Sequence, residues 1–273
     1  MTTRSALINV MAAAAMKAGK ALLRDFGEVE QLQVSRKGPA DFVSKADLKA
    51  ERIVRRELTK GRPHYSLLLE ESGLVEGRDS SNRWIVDPLD GTANFLHGLP
   101  HFAISIGLER DGQMHAGVVY EPIHDELFWA ERGAGAYLNQ RRLRVSARGQ
   151  LRDAIFATGT PPNGAHDPER RRVFLDRLDA VMAVSAGVRR WGTASLDLAY
   201  VAAGRFDGFW EDGLGPWDMA AGIVLVREAG GLVSEIDGGP HMLHSGSILA
   251  VNDRLYEPFG QMLRQSTGRP AGP

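Results

Sequence analysis

The spacing of apolar positions divides the chain into segments of different period. From about Thr3 to Phe26 apolar residues recur at helical spacing, with Leu22 and Leu23 carrying one face on toward Phe26. A second helical segment starts near Ser44 and ends near Gly61, where Gly61 and Pro63 supply stop signals. The period then shortens. Tyr65 to Leu69 and Trp84 to Val86 read as short buried strands. Phe102 to Leu108, His115 to Tyr120, Glu126 to Ala130 and Ala136 to Leu138 read as consecutive strands. Turns at Asp111-Gly112, Pro122 and Gly133 join them, which suggests an antiparallel sheet. The second half alternates. Strands are expected at Ala154–Thr158, Gly187–Arg190, Phe206–Glu211 and Ser247–Val251. Helices are expected from Asp167, an N-cap followed by Pro168, over Thr193–Ala203, and over Trp217–Ala229 with Gly230-Gly231 as the stop. The pattern predicts a layered α+β or α/β chain, antiparallel first and mixed afterwards.

Composition narrows what such a fold can do. The chain has 273 residues, 43% of them apolar, enough for one large domain or two closely packed ones. The net charge of −1 argues against a direct nucleic-acid binder. With no cysteine, thiolate ligands, disulfides and a cysteine nucleophile are excluded. No stretch is read as reaching the roughly 18–20 apolar residues that span a bilayer. The alanine-rich run from Ala6 to Met16 is read as a helix of the mature protein rather than a signal peptide, and the expected location is cytoplasmic. The Gly/Pro-rich residues 267–273 read as a frayed tail.

The candidate chemistry concentrates in Trp84-Ile-Val-Asp87-Pro88-Leu89-Asp90-Gly91-Thr92-Ala93-Asn94-Phe95. A buried strand runs into two carboxylates three residues apart. Pro88 stiffens the backbone between them, Gly91 permits a tight turn, and Thr92 opens a helical turn whose free N–H groups suit a phosphate. Two acids beside an anion site make sense if cations lie between them, and Mg²⁺ prefers such hard oxygen ligands. Further acids stand at another strand end, Glu70-Glu71-Ser72, and at a helix start, Trp217-Asp218. Taken singly, each has a structural reading. Asp90-Gly91 is a turn signal, Glu70-Glu71 a solvated pair, Asp218 a first-turn acid, and Ser44 with Asp47 a capping box. Trp84 and Trp217 read as packing anchors, Arg170 to Arg172 as a solvated helix face, and His97 and His101 as outside any metal site.

The run D-P-L-D-G-T-A-N-F-x-H-G-x-P, preceded by W-I-V, resembles the first signature of the inositol monophosphatase family, and W-D-M-A-A-G at Trp217 to Gly222 resembles the second. D-F-V-S-K-A-D at Asp41 to Asp47, E-E-S at Glu70 to Ser72 and R-R-W-G-T-A at Arg189 to Ala194 match in the same order. The resemblance implies an αβαβα sandwich of the sugar-phosphatase type. Residues 1–145 would form an N-terminal half carrying Glu70 and the Asp87–Thr92 motif. Residues 146–266 would form a C-terminal half carrying Gly192–Ala194, Glu211 and Asp218.

The resemblance also implies roles. Glu70, Asp87 and the Leu89 carbonyl would hold one Mg²⁺, and Asp87, Asp90 and Asp218 a second, with two or three ions in all. Thr92 paired with Asp47 would activate water for in-line attack on phosphorus, and Glu70 counts with them as catalytic. The N–H groups of Gly91 and Thr92 would hold the phosphate. Asp90, Gly192, Thr193, Ala194 and Glu211 would meet the substrate hydroxyls, and Lys37 would lie near the metal or phosphate. Inhibition by Li⁺ and a homodimer are implied as well. The implied reaction is hydrolysis of a small polyol phosphate, with myo-inositol 1-phosphate first. Histidinol phosphate, sugar bisphosphates and 3′-phosphoadenosine-5′-phosphate are the alternatives. A reading of another class is a transcription antitermination factor that contacts RNA polymerase, with Arg189 and Arg190 in a segment suited to that contact or to a dimer interface. Leu69 departs from the Gly that often precedes E-E-S, and the Gly-rich Gly213–Pro216 loop departs beside the substrate.

Overall fold

In the computed structural model, residues 4–28, 34–36, 42–161 and 167–267 are described, with the side chains of 34–36 and 42–44 excepted. Lys37, the Ser44 side chain and the tail beyond Thr267 therefore lie outside the described set. Ser5 caps helix α1 (Ala6–Phe26), its Oγ accepting from Ile8 N at 3.1 Å. Leu7, Ile8, Met11, Ala15, Ala18 and Leu22 form its buried stripe. At 21 residues, α1 is long and apolar enough to cross a membrane by length and composition. This corrects the expectation that no segment reaches that length. More than half of its most apolar stretch is buried against the rest of the fold, as in a core helix.

A hairpin of β1 (Val34–Arg36) and β2 (Phe42–Ser44) precedes α2 (Lys45–Gly61). Then follow β3 (Tyr65–Leu69), β4 (Gly73–Val75), β5 (Asp79–Asp90), α3 (Thr92–Leu96), β6 (Ala103–Arg110), β7 (Gln113–Glu121), β8 (Glu126–Glu131), β9 (Gly135–Leu138) and β10 (Arg141–Arg142). Strands β3 to β10 make one sheet in the order β10-β9-β8-β7-β6-β5-β3-β4. It is antiparallel as expected, except that β3 pairs with β5 in parallel.

The second sheet comes from β11 (Ile155–Thr158), β12 (Gly187–Arg189), β13 (Gly208–Asp212), β14 (Leu232–Ser234) and β15 (Ser247–Val251). Its order is β12-β11-β13-β15-β14. β11 runs parallel to β12 and β13, whereas β15 is antiparallel to β13 and β14, giving the expected mixed sheet. The intervening helices are α4 (Pro168–Val184), α5 (Ala194–Ala202), α6 (Pro216–Glu228), α7 (Met242–Ser245) and α8 (Asp253–Ser266).

Strand alternation sorts neighbouring residues into successive cores. Val118 packs in the core under α1 and α2, and Val119 in the core around α5 and α6. Ala250 joins that second core, and Leu249 and Val251 join a third beneath α8. The layers therefore run helix, sheet, helix, sheet, helix. Helix α6 lies tight on the first sheet because W-D-M-A-A-G is small on that face. A Cβ at Gly117 would meet the Ala221 backbone, one at Gly107 the Ala220 side chain, and one at Gly222 Leu198 of α5.

Candidate active site

Strand register brings the acids together. Glu70 follows β3, and Leu69 pairs with Val86 of β5, so Glu70 stands beside Asp87, with its N–H donating to Val86 O at 3.1 Å. In a regular strand Asp87 and Asp90, three residues apart, would point to opposite faces. The register of β5 on β6 shifts between them. Asp87 opposes Ser105 and Asp90 opposes Ala103, so β5 carries one extra residue at Pro88-Leu89, where proline has no N–H to pair. This bulge turns both carboxylates into one cleft. Across it, Ser105 Oγ donates to Trp217 O at 3.1 Å and ties down the start of α6. Carboxylate oxygens of Asp87, Asp90 and Asp218 consequently lie within 4.8 Å of one another.

Glu70 and Asp87 face mostly other acids, whereas Asp90 and Asp218 also take backbone N–H groups. Asp87, 2% exposed, accepts from Leu89 N at 2.9 Å and otherwise faces Glu70, Asp90 and Asp218. Burial, then those three charges, push its pKa well up. Burial and the Asp218 charge push Glu70 up to about 8, against a hydrogen bond with Asp87 that lowers it. Asp218 rises to about 7 through burial and Asp90, although Gly215 N donates to its Oδ2 at 2.7 Å. Asp90 is pushed up to about 6 by burial, opposed by Ser195, whose N–H donates at 2.7 Å, and by the N–H groups of Ala194 and Gly91.

The other predicted residues surround this cluster. Asp47, in the first turn of α2, is buried, and its charge reaches Glu70. The Thr92 hydroxyl is 3.4 Å from Asp47 Oδ1 and donates more closely to Leu89 O, at 2.9 Å. Gly91 holds φ +91°, and a Cβ there would sit 2.6 Å from Thr193 Oγ1. The turn of the first motif thus touches the loop Gly192, Thr193 and Ala194. Thr193 Oγ1 donates to His101 O at 3.1 Å. On β13, Glu211 faces the same cleft. Burial and then Asp197, Asp218 and Asp90 push its pKa well up, against Arg190. Trp84 is fully buried, whereas Trp217 is half-buried.

Four residues escaped the sequence reading. Glu51, one helical turn beyond Asp47, is buried and accepts from Glu71 N at 2.9 Å, Ser72 N at 3.3 Å and Ser72 Oγ. It holds the turn that follows Glu70, and its i+4 spacing from Asp47 was the available signal. Asn94 Nδ2 donates to His101 O at 2.9 Å and Trp191 O at 2.8 Å, tying α3 to the Gly192 loop. Ser195 supplies an N–H to Asp90. Asp197 is buried with both carboxylate oxygens unpartnered.

The sequence model of the inositol monophosphatase family matches residues 3–267. The chain belongs to the inositol monophosphatase family. It is 61% identical over 250 residues to an inositol-1-monophosphatase of Mesorhizobium japonicum, spanning 92% of this chain and 93% of that one. It is 43% identical over 253 residues to the Nus factor SuhB of Pseudomonas aeruginosa, spanning 92% and 93%. Among solved structures, the extragenic suppressor protein suhB of Bartonella henselae superposes with a TM-score of 0.92 at 56% identity, spanning 96% of this chain and 99% of that one. The layered architecture and the order of the motifs along the chain are therefore those of the inositol monophosphatase family.

Proposed function

We propose that this protein is a Mg²⁺-dependent phosphomonoesterase that hydrolyses a small polyol phosphate, myo-inositol 1-phosphate first. One observation carries the reading: Asp87, Asp90 and Asp218 converge within 4.8 Å, with Glu70 against Asp87. The donor set fits Mg²⁺, being oxygen throughout in a chain without cysteine. Burial raises all four carboxyl pKa values, the charges of neighbouring acids raise those of Glu70, Asp87 and Asp218 further, and a divalent cation relieves both. Glu70, Asp87 and the Leu89 carbonyl would hold one ion and Asp87, Asp90 and Asp218 a second, with two or three in all. Mg²⁺ bound there offsets phosphoryl charge and acidifies water.

The chain's own residues do the rest. Asp47 and Thr92 orient the attacking water. Thr92 Oγ1 lies 2.9 Å from Leu89 O and 3.4 Å from Asp47 Oδ1; turned to Asp47, the hydroxyl would pass its proton to that carboxylate as it takes one from the attacking water. The N–H groups of Gly91 and Thr92 hold the phosphate. Asp90 and Glu211 accept hydrogen bonds from substrate hydroxyls, and Gly192, Thr193 and Ala194 wall that side. In this reading residues 1–145 supply the metal and phosphate motif, and residues 146–266 the substrate side and Asp218. A cytoplasmic location and a homodimer belong to the same reading.

The name of the relative at 61% identity supports inositol phosphate over histidinol phosphate or a bisphosphate. The test is phosphate release from these compounds with Mg²⁺ and with chelator. The expected outcome is the highest kcat/KM on inositol 1-phosphate and no turnover with chelator. Turnover that survives chelation would overturn the metal assignment. A second reading rests on the relatives named Nus factor SuhB. It makes the protein a partner of the transcription machinery through protein contacts, and retention of purified RNA polymerase on the immobilised protein tests it.

A further inference from the structure

At the end of α6 away from Asp218 lies a second pocket, of about 480 Å³. Arg227 lies nine positions after Asp218, which sets the two sites about 14 Å apart along the helix axis. The floor of the pocket is apolar, with Ile223, Val224 and Met242 buried beneath it. Its rim holds two guanidinium groups and two imidazoles. Arg132 follows β8, Arg227 stands in the last turn of α6, and His241 and His244 come from the segment around α7.

The acids that line the pocket are already engaged. Glu228 accepts from Gly133 N at 2.9 Å and Gly135 N at 2.8 Å. Glu109 pairs with Arg83 at 2.7 Å. Among the described residues, Arg227 has neither an ion pair nor a hydrogen-bond acceptor for its guanidinium, and Arg132 uses one N–H on the Gln113 side chain. The two guanidinium groups lie in each other's field. Burial, and then the Arg132 charge, lower the pKa of Arg227. Among the described residues, two guanidinium forks with no carboxylate partner over an apolar floor match a ligand with an anionic head and an apolar body. The planar guanidinium is the side chain best shaped for phosphate oxygens. A volume of this size lies in the range that small-molecule sites occupy.

We propose that this pocket binds a small organic phosphate, its head between Arg132 and Arg227 and its body on Met114 and Leu243, above the buried Ile223, Val224 and Met242. The site is separate from the acid cleft, and its existence does not depend on the phosphatase reading. The test uses the full chain stripped of divalent cations by chelator and then dialysed, so that the acid cleft repels anions. Phenylphosphonate and inorganic phosphate are titrated calorimetrically. Saturable binding of phenylphosphonate is expected, tighter than that of inorganic phosphate. The Arg132→Gln/Arg227→Gln double variant should bind at least about tenfold more weakly, the order for one lost charge-assisted hydrogen bond, at an unchanged Tm. Asp87→Asn should bind as the parent does. No saturable binding in the millimolar range, equal binding by the double variant, inorganic phosphate bound as tightly, or binding lost in Asp87→Asn would each overturn the proposal.

Discussion

Asp207 and Asp87 are buried to the same depth, 1% and 2% exposed, and have opposite surroundings. Asp207 accepts from Ile155 N at 2.7 Å, from Ser146 Oγ at 2.5 Å and from Arg148 Nη1 at 3.3 Å. Its charge meets three donors from two segments, and it joins the start of β11 to the loop before β13. Glu121 is of the same kind, taking N–H groups from Ile123 at 2.9 Å and His124 at 2.8 Å. Asp87 has one backbone donor, and its other neighbours are carboxylates. Depth of burial therefore says little about what an acid does. The supply of donors tells more: donor-rich Asp207 and Glu121 fasten the fold, and Asp87, with one donor among acids, suits the cation proposed above.

The sharpest way to break this contrast is to neutralise one acid of each kind. Asp87→Asn removes a shared ligand from the proposed metal site while keeping its shape. It should lower kcat for inositol 1-phosphate by at least about 10³-fold, several kcal/mol of transition-state stabilisation, with the fold retained by circular dichroism. Near-normal turnover would remove Asp87 from the chemistry. Asp207→Ala should do the reverse. It strands the Ile155 N–H and the Ser146 hydroxyl and should cost about 3 kcal/mol in urea unfolding, with kcat per folded molecule unchanged. A stable Asp207→Ala protein would erase the distinction.

Glu51 stands between the two kinds. It is donor-rich like Asp207, yet what it holds is the turn carrying Glu70. Glu51→Gln keeps the shape and weakens that grip. The Mg²⁺ concentration for half-maximal rate should rise about tenfold, as for residues that orient metal ligands from behind. A fall in Tm with unchanged Mg²⁺ dependence would make Glu51 purely structural.

The sequence exposed these features unevenly. β15 (Ser247–Val251) and β3 (Tyr65–Leu69) match their expected bounds because short apolar runs between clear stop signals leave little choice. Helix α8 was not anticipated, since Pro258 inside it reads as a breaker and masks the apolar stripe of Leu255, Phe259 and Leu263. Asn252 caps it from outside, accepting from Leu255 N at 3.0 Å. The parallel pairing of β3 with β5 was also hidden, because only the register with Trp84 to Val86 reveals it. In the cleft, Asp87, Asp90 and Asp218 were legible because the chemistry is written in contiguous motifs. Glu51, Asn94 and Asp197 were not. Glu51 and Asn94 bond to the Glu70 turn and to the His101 and Trp191 carbonyls, and Asp197 lies in the field of Asp90, none of which local spacing discloses.

The smallest expected effect tests the electrostatics of the comparison directly. Glu70, Asp90 and Asp218 have folded-state pKa values raised to about 8, about 6 and about 7, from ordinary values of 4.5, 3.8 and 3.8. Between the ordinary and the raised values the folded state binds more protons than the unfolded chain, so stability falls as pH rises. The contribution is complete below about pH 4 and is lost on passing through pH 6 to 8. The cation-free protein should therefore melt several degrees lower at pH 8 than at pH 5, at roughly 2–4 °C for each kcal/mol lost. Mg²⁺ should flatten the slope by taking the place of the protons, and Asp87→Asn should flatten it without Mg²⁺ by removing one repelling charge from the cluster. Differential scanning calorimetry across that range reads both. A cation-free protein whose Tm rises from pH 5 to pH 8 would mean that these carboxylates find donors in solution after all. They would then belong with Asp207 rather than opposite it.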